Sequence, residues 1–555
     1  MPGVKPILTL ICLALSTLSA AAHGIACPAT APLPEAPVAL SGTSPQYLSW
    51  QGSVLPLLGI SYEYTCHLSQ PQRRDKYCTL ENFDEVFADL QANKNNVIGL
   101  WTIFNHSPGT MAYGAPFKEE QPFVLIDSKW DLRRISETYL DNLERVVCAA
   151  YNRKIVVEVT LLDPWDGNWA TSPFNPANTV AVEGQPQGFT QRRFFLRFEN
   201  DAAPADASRQ NIDARTAQKN AVAAIVSRLK KYPNVIWEVA NEPDFIPADS
   251  PDLGGPVTAA QVLELEKAIL AVIQANDSKP PHLIQVNGHS PGLFAWNLPG
   301  ADIASAHYTE IKGPYLGALQ ILRDPGLAGT RAKVAAAFNE GQSIPNVTAP
   351  PGSPLQRVAD DVRAEAWEHA FLGGALFNAY SLDRGSAESR SASAQLGGLA
   401  GFLGQLDLGA MEPASCNGPA DWCRGIPPSG ARASGSCGPA HRSDLYWSTL
   451  RSSKISALYL HHSVPRSRIG GGKFDGYKAV ACGDGGPGSG YQIPGFQFRV
   501  PKPGCWALEW RDPKSGKTLA HRAYSISDAN QTYRSTDAPF YTQDVLIVLS
   551  ACPAR

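Results

Sequence analysis

Between residues 58 and 377 the chain returns eight times to a short apolar run, at 58–62, 97–101, 155–159, 235–240, 283–286, 303–306, 334–338 and 375–377. Runs this short suit strands, and the stretches between most of them carry apolar residues at helical spacing. Phe83, Val86, Phe87 and Leu90 form one such face; Ala217, Ala221, Val222, Ile225 and Leu229 form a second. Val262, Leu265, Ile269, Val272 and Ile273 form a third, opened by Thr258 and Gln261 at capping-box spacing. Strands alternating with helices read as repeated β-α units with a parallel sheet, so the expected class is α/β. The interval between the fifth and sixth runs is short for a helix.

The fourth run ends distinctively, as Val235-Ile236-Trp237-Glu238-Val239-Ala240-Asn241-Glu242-Pro243. Its large apolar residues suit a strand covered on both faces, and Pro243 cannot continue the hydrogen-bonded ladder. The strand is therefore expected to stop at Asn241 or Glu242 and to present a carboxylic acid at its mouth, a candidate proton donor. On these residues the chain resembles the clan A glycoside hydrolases, and among them the family-five cellulase and mannanase group. In that group an Asn-Glu-Pro element closes the fourth strand of a (β/α)8 TIM barrel. The resemblance implies such a barrel over roughly 47–408, followed by a small all-β sandwich.

Glycoside hydrolysis with retention needs two carboxyl groups about 5–5.5 Å apart, one protonated and one ionised. The run Lys333-Val334-Ala335-Ala336-Ala337-Phe338-Asn339-Glu340-Gly341 offers the second at another strand end. The resembled clan carries its nucleophile at the end of strand seven, where Glu340 falls. Glu242 is expected as acid/base, kept protonated by a partly apolar setting, and Glu340 as nucleophile. Asn241 is expected to donate to the sugar 2-hydroxyl, and Glu238, four residues before Glu242, to serve structure. His307 and Tyr308 resemble the family's His-x-Tyr neighbourhood that holds the nucleophile, although here the two are adjacent. Trp165, Asp166 and Trp169, in a long loop after the third strand, together with Trp101, Asn105, Trp296 and Tyr380, would line one rim for sugar binding. Two family features are missing: the arginine near the end of strand two and the tryptophan on strand eight. Both gaps leave the sugar open.

Lys and Arg total 48 against 51 Asp and Glu, a net charge of −3, which offers no surface for nucleic acid or anionic membranes. Lys5, the apolar stretch 7–18 and Ala20-Ala21-Ala22 read as a signal peptide over 1–22, so export is expected and no membrane anchor. A Pro/Ala-rich leader (23–44), the barrel (45–410), a Cys/Gly/Ser-rich loop or linker (411–444) and the sandwich (445–555) would follow. A hairpin over 47–58, turning near Gly52, is placed to cover the barrel's lower opening. In the sandwich, strands are expected at 455–460, 496–500, 505–511 and 545–549, with a Trp-x-Asp-Pro-x-x-Gly turn at 510–516. Outside the signal segment an even set of cysteines in an exported chain points to disulfides. The local pairs expected are Cys66 with Cys78 and Cys482 with Cys505. No Cys-x-x-Cys occurs, and neither a metal nor a cofactor is expected. Asn-x-Ser/Thr sequons begin at Asn105, Asn276, Asn346 and Asn530.

The expected partner is a polysaccharide or oligosaccharide, and the expected activity that of a secreted, retaining, endo-acting β-glycoside hydrolase. A catalytically silent carbohydrate-binding protein and a glycan adhesin acting through the sandwich are the competing readings. Oligomeric state is not legible in the sequence.

Overall fold

The computed structural model describes residues 35–44, 46–61, 80–103, 121–162, 172–180, 188–189, 205–243, 259–277, 281–288, 298–306, 335–339, 358–380, 387–429, 431–432, 443–465, 477–483 and 489–553. Eight strands close a parallel barrel in chain order: β1 (Leu57–Ser61), β2 (Val97–Trp101), β3 (Val156–Thr160), β4 (Val235–Glu238), β5 (Ile284–Gly288), β6 (Ile303–Ala306), β7 (Ala335–Asn339) and β8 (Leu376–Tyr380). β8 pairs with β1 from Leu376↔Leu57 to Tyr380↔Ser61 and so completes the ring. These are the eight runs read from the sequence, with their ends moved by a few residues.

Alternation along each strand explains the barrel's two surfaces. Leu58, Ile60, Ile98, Leu100, Val157, Val159, Trp237 and Val286 belong to the main core, which the helices share. The residues between them face the barrel axis. Leu57, Val97, Val156, Ile236, Leu283, Ile303 and Leu376 form an apolar bottom layer with Val38, Leu48 and Trp50. Leu48 and Trp50 belong to, and Val38 immediately precedes, a small antiparallel sheet of Ala39–Leu40, Leu48–Trp50 and Ser53–Leu55. Its hairpin turns through Gln51 and Gly52, both at positive φ, and Val38 N–H donates to the Pro233 carbonyl at 2.9 Å. The sheet plugs the lower opening, as expected.

Helices α1 (Leu80–Ala92), α2 (Glu137–Asn152), α3 (Ala205–Leu229), α4 (Ala259–Asn276), α5 (Ala359–Phe371) and α6 (Ala387–Leu403) lie between the strands. Ser136 caps α2, its hydroxyl accepting from Tyr139 N–H at 3.2 Å. Thr258, and with it the proposed capping box of α4, lies outside the described residues. The sequence reading missed the antiparallel hairpin of Phe123–Ile126 with Lys129–Ile135. Its turn runs through Asp127 and Ser128 at positive φ, without the glycine that usually advertises such turns.

The C-terminal part is built on one antiparallel sheet in the order β9 (Asp444–Arg451), β10 (Ile455–Pro465), β13 (Asp544–Ala551), β11 (Gly504–Arg511), β12 (Thr518–Ile526). One face, with Leu445, Leu458, Leu460, Leu508, Val545, Ile547 and Leu549, packs on a three-stranded sheet of Cys423–Arg424, Gln497–Phe498 and Tyr533–Arg534. The other face, with Tyr446, Leu450, Ala457, Tyr459, Leu546 and Val548, merges into the barrel's own core. Within 411–444, Glu412–Pro413 and Ala431–Arg432 pair with β9.

Two disulfides join described residues, Cys416–Cys423 and Cys505–Cys552. The second corrects the expected Cys482–Cys505 pair. β11 lies beside β13, so Cys505 near the start of β11 meets Cys552 just past the end of β13, with Cα atoms 5.3 Å apart. Sheet neighbours, not sequence neighbours, chose the bond. Cys148 and Cys482 are disulfide-bonded as well; the expected Cys66–Cys78 pair lies outside the described residues.

Candidate active site

β4 leaves the barrel through Asn241 and Glu242, at the end where all eight parallel strands finish. Both residues are buried. Asn241 N–H donates to the Leu162 carbonyl at 2.8 Å, continuing the pairing with the chain beyond β3. Glu242 then takes φ +40, a left-handed conformation that costs a non-glycine residue about 1–3 kcal/mol. Its N–H is received by Asn287 Oδ1 at 2.7 Å. A single hydrogen bond contributes about 0.5–1.5 kcal/mol net, so neither contact offsets the backbone cost alone. Both together hold the reversal, and Pro243 turns the chain outward.

Below this reversal the barrel axis is polar. Glu238, in the structural role expected of it, points inward and accepts from Gln285 Nε2 at 2.9 Å, from Asn287 Nδ2 and from Thr160 Oγ1. Glu158 on β3 accepts from Asn378 Nδ2 at 2.8 Å and from Gln285 Nε2 at 3.0 Å. Gln285 thus bridges two buried carboxyl groups. Burial and, next, the negative charge of Glu238 push Glu158 up to about 8, against the opposing hydrogen bonds of Asn378 and Gln285. Glu158, Thr160, Gln285, Asn287 and Asn378 went unread in the sequence. Their signal is polar residues recurring at spacing two inside otherwise apolar strands, Glu158 with Thr160 and Gln285 with Asn287.

On the outer side of β4, Trp237 Nε1 donates to Asp277 Oδ2 at 2.8 Å, and His282 Nδ1 lies 2.9 Å from the same oxygen. Burial pushes Asp277 up, but the hydrogen bonds and charge of His282 outweigh it and hold the carboxyl low. His282 Nε2 also meets the Tyr232 carbonyl at 2.8 Å, so both ends of β4 are pinned.

Of the residues expected at the rim, Asn241, Glu242, Trp101 and Tyr380 are among the described residues. Trp101, on the axial face of β2, is buried, with Cη2 3.5 Å from where a side chain on Gly99 would begin. Tyr380 ends β8 opposite Ser61. β7 ends at Asn339, the residue before Glu340, at the rim that β4 reaches. Glu340, Asn105, Trp165, Asp166, Trp169, Trp296, His307 and Tyr308 lie outside the described residues. Among the described residues no group of three or more His, Cys, Asp or Glu is placed to hold a metal ion.

Residues 81–310 match the model of the cellulase family, glycosyl hydrolase family 5, a span that includes Asn241 and Glu242. The barrel is a clan A glycoside hydrolase domain resembling the family-five cellulases. A solved glycoside hydrolase shares this fold with a TM-score of 0.52 at 11% identity, over 94% of this chain and 98% of its own. A family-five glycoside hydrolase from Bacteroides vulgatus does so with a TM-score of 0.52 at 11% identity, over 93% of each chain. Both likenesses take in the C-terminal sheets as well as the glycoside hydrolase barrel. No curated protein matches the chain.

Proposed function

We propose that this glycoside hydrolase domain cleaves a β-linked polysaccharide or its oligosaccharides with retention, Glu242 serving as acid/base and Glu340 as nucleophile. The observation that carries the reading is Glu242 itself, a buried glutamate fixed in a left-handed turn where β4 opens onto the rim. Glu340 is the residue that follows Asn339 in the sequence, and β7 ends at Asn339 on the rim that β4 reaches. In the first step the Glu340 carboxylate bonds to the anomeric carbon, and the bond to the leaving oxygen breaks as that oxygen takes the Glu242 proton. In the second, Glu242 removes a proton from water, which displaces Glu340 and restores the β configuration. Asn241, next to the acid, would hydrogen-bond the 2-hydroxyl, an interaction that tightens as positive charge develops on the ring.

Secretion is part of the reading. The disulfides support it, since such bonds persist in oxidising compartments. Among the described residues no helix is long and apolar enough to cross a membrane. Internal cleavage is expected to release a ladder of oligosaccharides from soluble β-glycans.

The test is azide rescue on aryl β-glycosides. Glu340→Ala is expected to lose turnover by orders of magnitude and to regain it with azide, giving an α-glycosyl azide. Glu242→Ala with azide is expected to give the β-glycosyl azide. A Glu340→Ala variant as active as the parent sinks the two-glutamate mechanism.

A further inference from the structure

We infer that Asn287 is a positioning residue for the acid/base glutamate, fixing Glu242 to the buried Glu238–Gln285–Glu158 cluster through its two-sided amide. The inference rests on the reading of Glu242 as the proton donor and adds how its direction is set.

The amide of Asn287 has one workable orientation. On one side stands the Glu242 N–H, which only an oxygen can receive; on the other stands Glu238 Oε1, which needs a donor. Turning the amide over would set donor against donor and acceptor against acceptor. Asn287 is buried at the end of β5, and Glu238 is held by Thr160 on β3 and Gln285 on β5, so the anchor is fixed by three strands. Asn378 on β8 holds Glu158 from across the barrel. A backbone at φ +40 before a proline relaxes toward extended conformations when its restraint is removed. Such a change rotates the Cα–Cβ bond and moves the carboxyl away from the glycosidic oxygen.

General acid assistance matters most for a leaving group that departs poorly, and this separates positioning from mere stability. The measurement is kcat/KM for 2,4-dinitrophenyl and phenyl β-glycosides across a panel of glucosides, cellobiosides, mannobiosides and xylobiosides. Glu242→Gln is expected to lose about 10²–10⁴-fold on the phenyl substrate and far less on the dinitrophenyl one. Asn287→Ala and Asn287→Asp are expected to show the same split at roughly 10- to 100-fold. Asn287→Asp keeps the acceptor for Glu242 N–H but places a carboxylate against Glu238. Combining it with Glu238→Gln restores a donor-acceptor pair with the direction reversed, the Gln285 amide turning over so that its oxygen rather than its Nε2 meets the introduced amide nitrogen, and is expected to recover most of the phenyl activity.

If Glu242→Gln shows the split and the Asn287 variants lose both substrates equally, the positioning role is overturned and Asn287 is structural. The role is overturned in the same way if the double variant recovers nothing beyond Asn287→Asp. If Glu242→Gln shows no split, or the parent turns over no member of the panel, the acid/base reading fails and takes this inference with it. Thermal unfolding of each variant identifies any that fail to fold, and the double variant then carries the decision.

Discussion

Glu158 and Glu238 stand within one closed barrel, both fully or almost fully buried, and share Gln285 as a common donor. Taking a carboxylate out of water is expensive, so the pair keeps a proton on Glu158 well above the ordinary carboxylate range. The sign of the stability effect follows. Glu158 binds its proton more tightly folded than unfolded, so its contribution is fully present below about 4.5 and is lost as pH rises through about 8. Glu158→Gln removes that dependence. Relative to the parent it is expected to gain stability across this window, at a limiting slope of about 1.4 kcal/mol per pH unit. Urea unfolding at pH 5, 7 and 9 reads the difference; a constant gap across the three means Glu158 is ionised throughout. Glu242 illustrates the limit of sequence at this scale. Its position before Pro243 was legible, but its left-handed turn depends on Asn287, distant in the chain and adjacent only through the β4–β5 pairing.

At the scale of elements, β1 and β2 meet in register only at Gly59↔Val97. A side chain on Gly59 would begin 2.0 Å from the Val97 carbonyl oxygen, which is backbone and cannot swing away. Gly59→Ala is therefore expected to destabilise the protein by about 1–3 kcal/mol through forced separation of the two strands, seen as a lower midpoint in thermal unfolding. An unchanged midpoint would mean that the seam is loose. The strands themselves were easy to read because each is short, apolar and bounded by turns. The hairpin at Phe123–Ile126 was not, since Asp127 and Ser128 carry its positive φ angles without glycine. The apolar run at 545–549 lacks the alternation of a half-exposed strand. Its residues divide between the sandwich core and the barrel core, so both faces are covered.

At the scale of the molecule, α5 joins the barrel to the large C-terminal sheet. Arg363 donates from Nε to Asp544 Oδ2 at 2.7 Å and from Nη2 to Asp544 Oδ1 at 3.1 Å, while Tyr459 adds a third donor at 2.8 Å. Trp367 stacks on Tyr459 with ring centroids 5.3 Å apart. The turn at 510–516 docks here too, Lys514 Nζ lying 3.1 Å from Asp360 on α5. Arg363→Met leaves Asp544 buried without its cation and is expected to cost about 3–5 kcal/mol, whereas Arg363→Met with Asp544→Leu should recover much of that loss. Differential scanning calorimetry distinguishes the two. If Arg363→Met is neutral, the sheet is a passive neighbour of the barrel.

The eight strands, the helical faces between them, the hairpin plug and the Asn241-Glu242-Pro243 strand end are legible in the sequence alone. These are local: periodicity and turn chemistry act over a few residues, and each leaves its mark in a short window. The partner of Cys505, the polar axis of Glu158, Glu238, Gln285, Asn287 and Asn378, and the burial of the C-terminal sheet against α5 emerge only in the folded chain. Each joins residues far apart in the chain, brought together by barrel closure and sheet order, and no window of sequence contains both ends of such a contact.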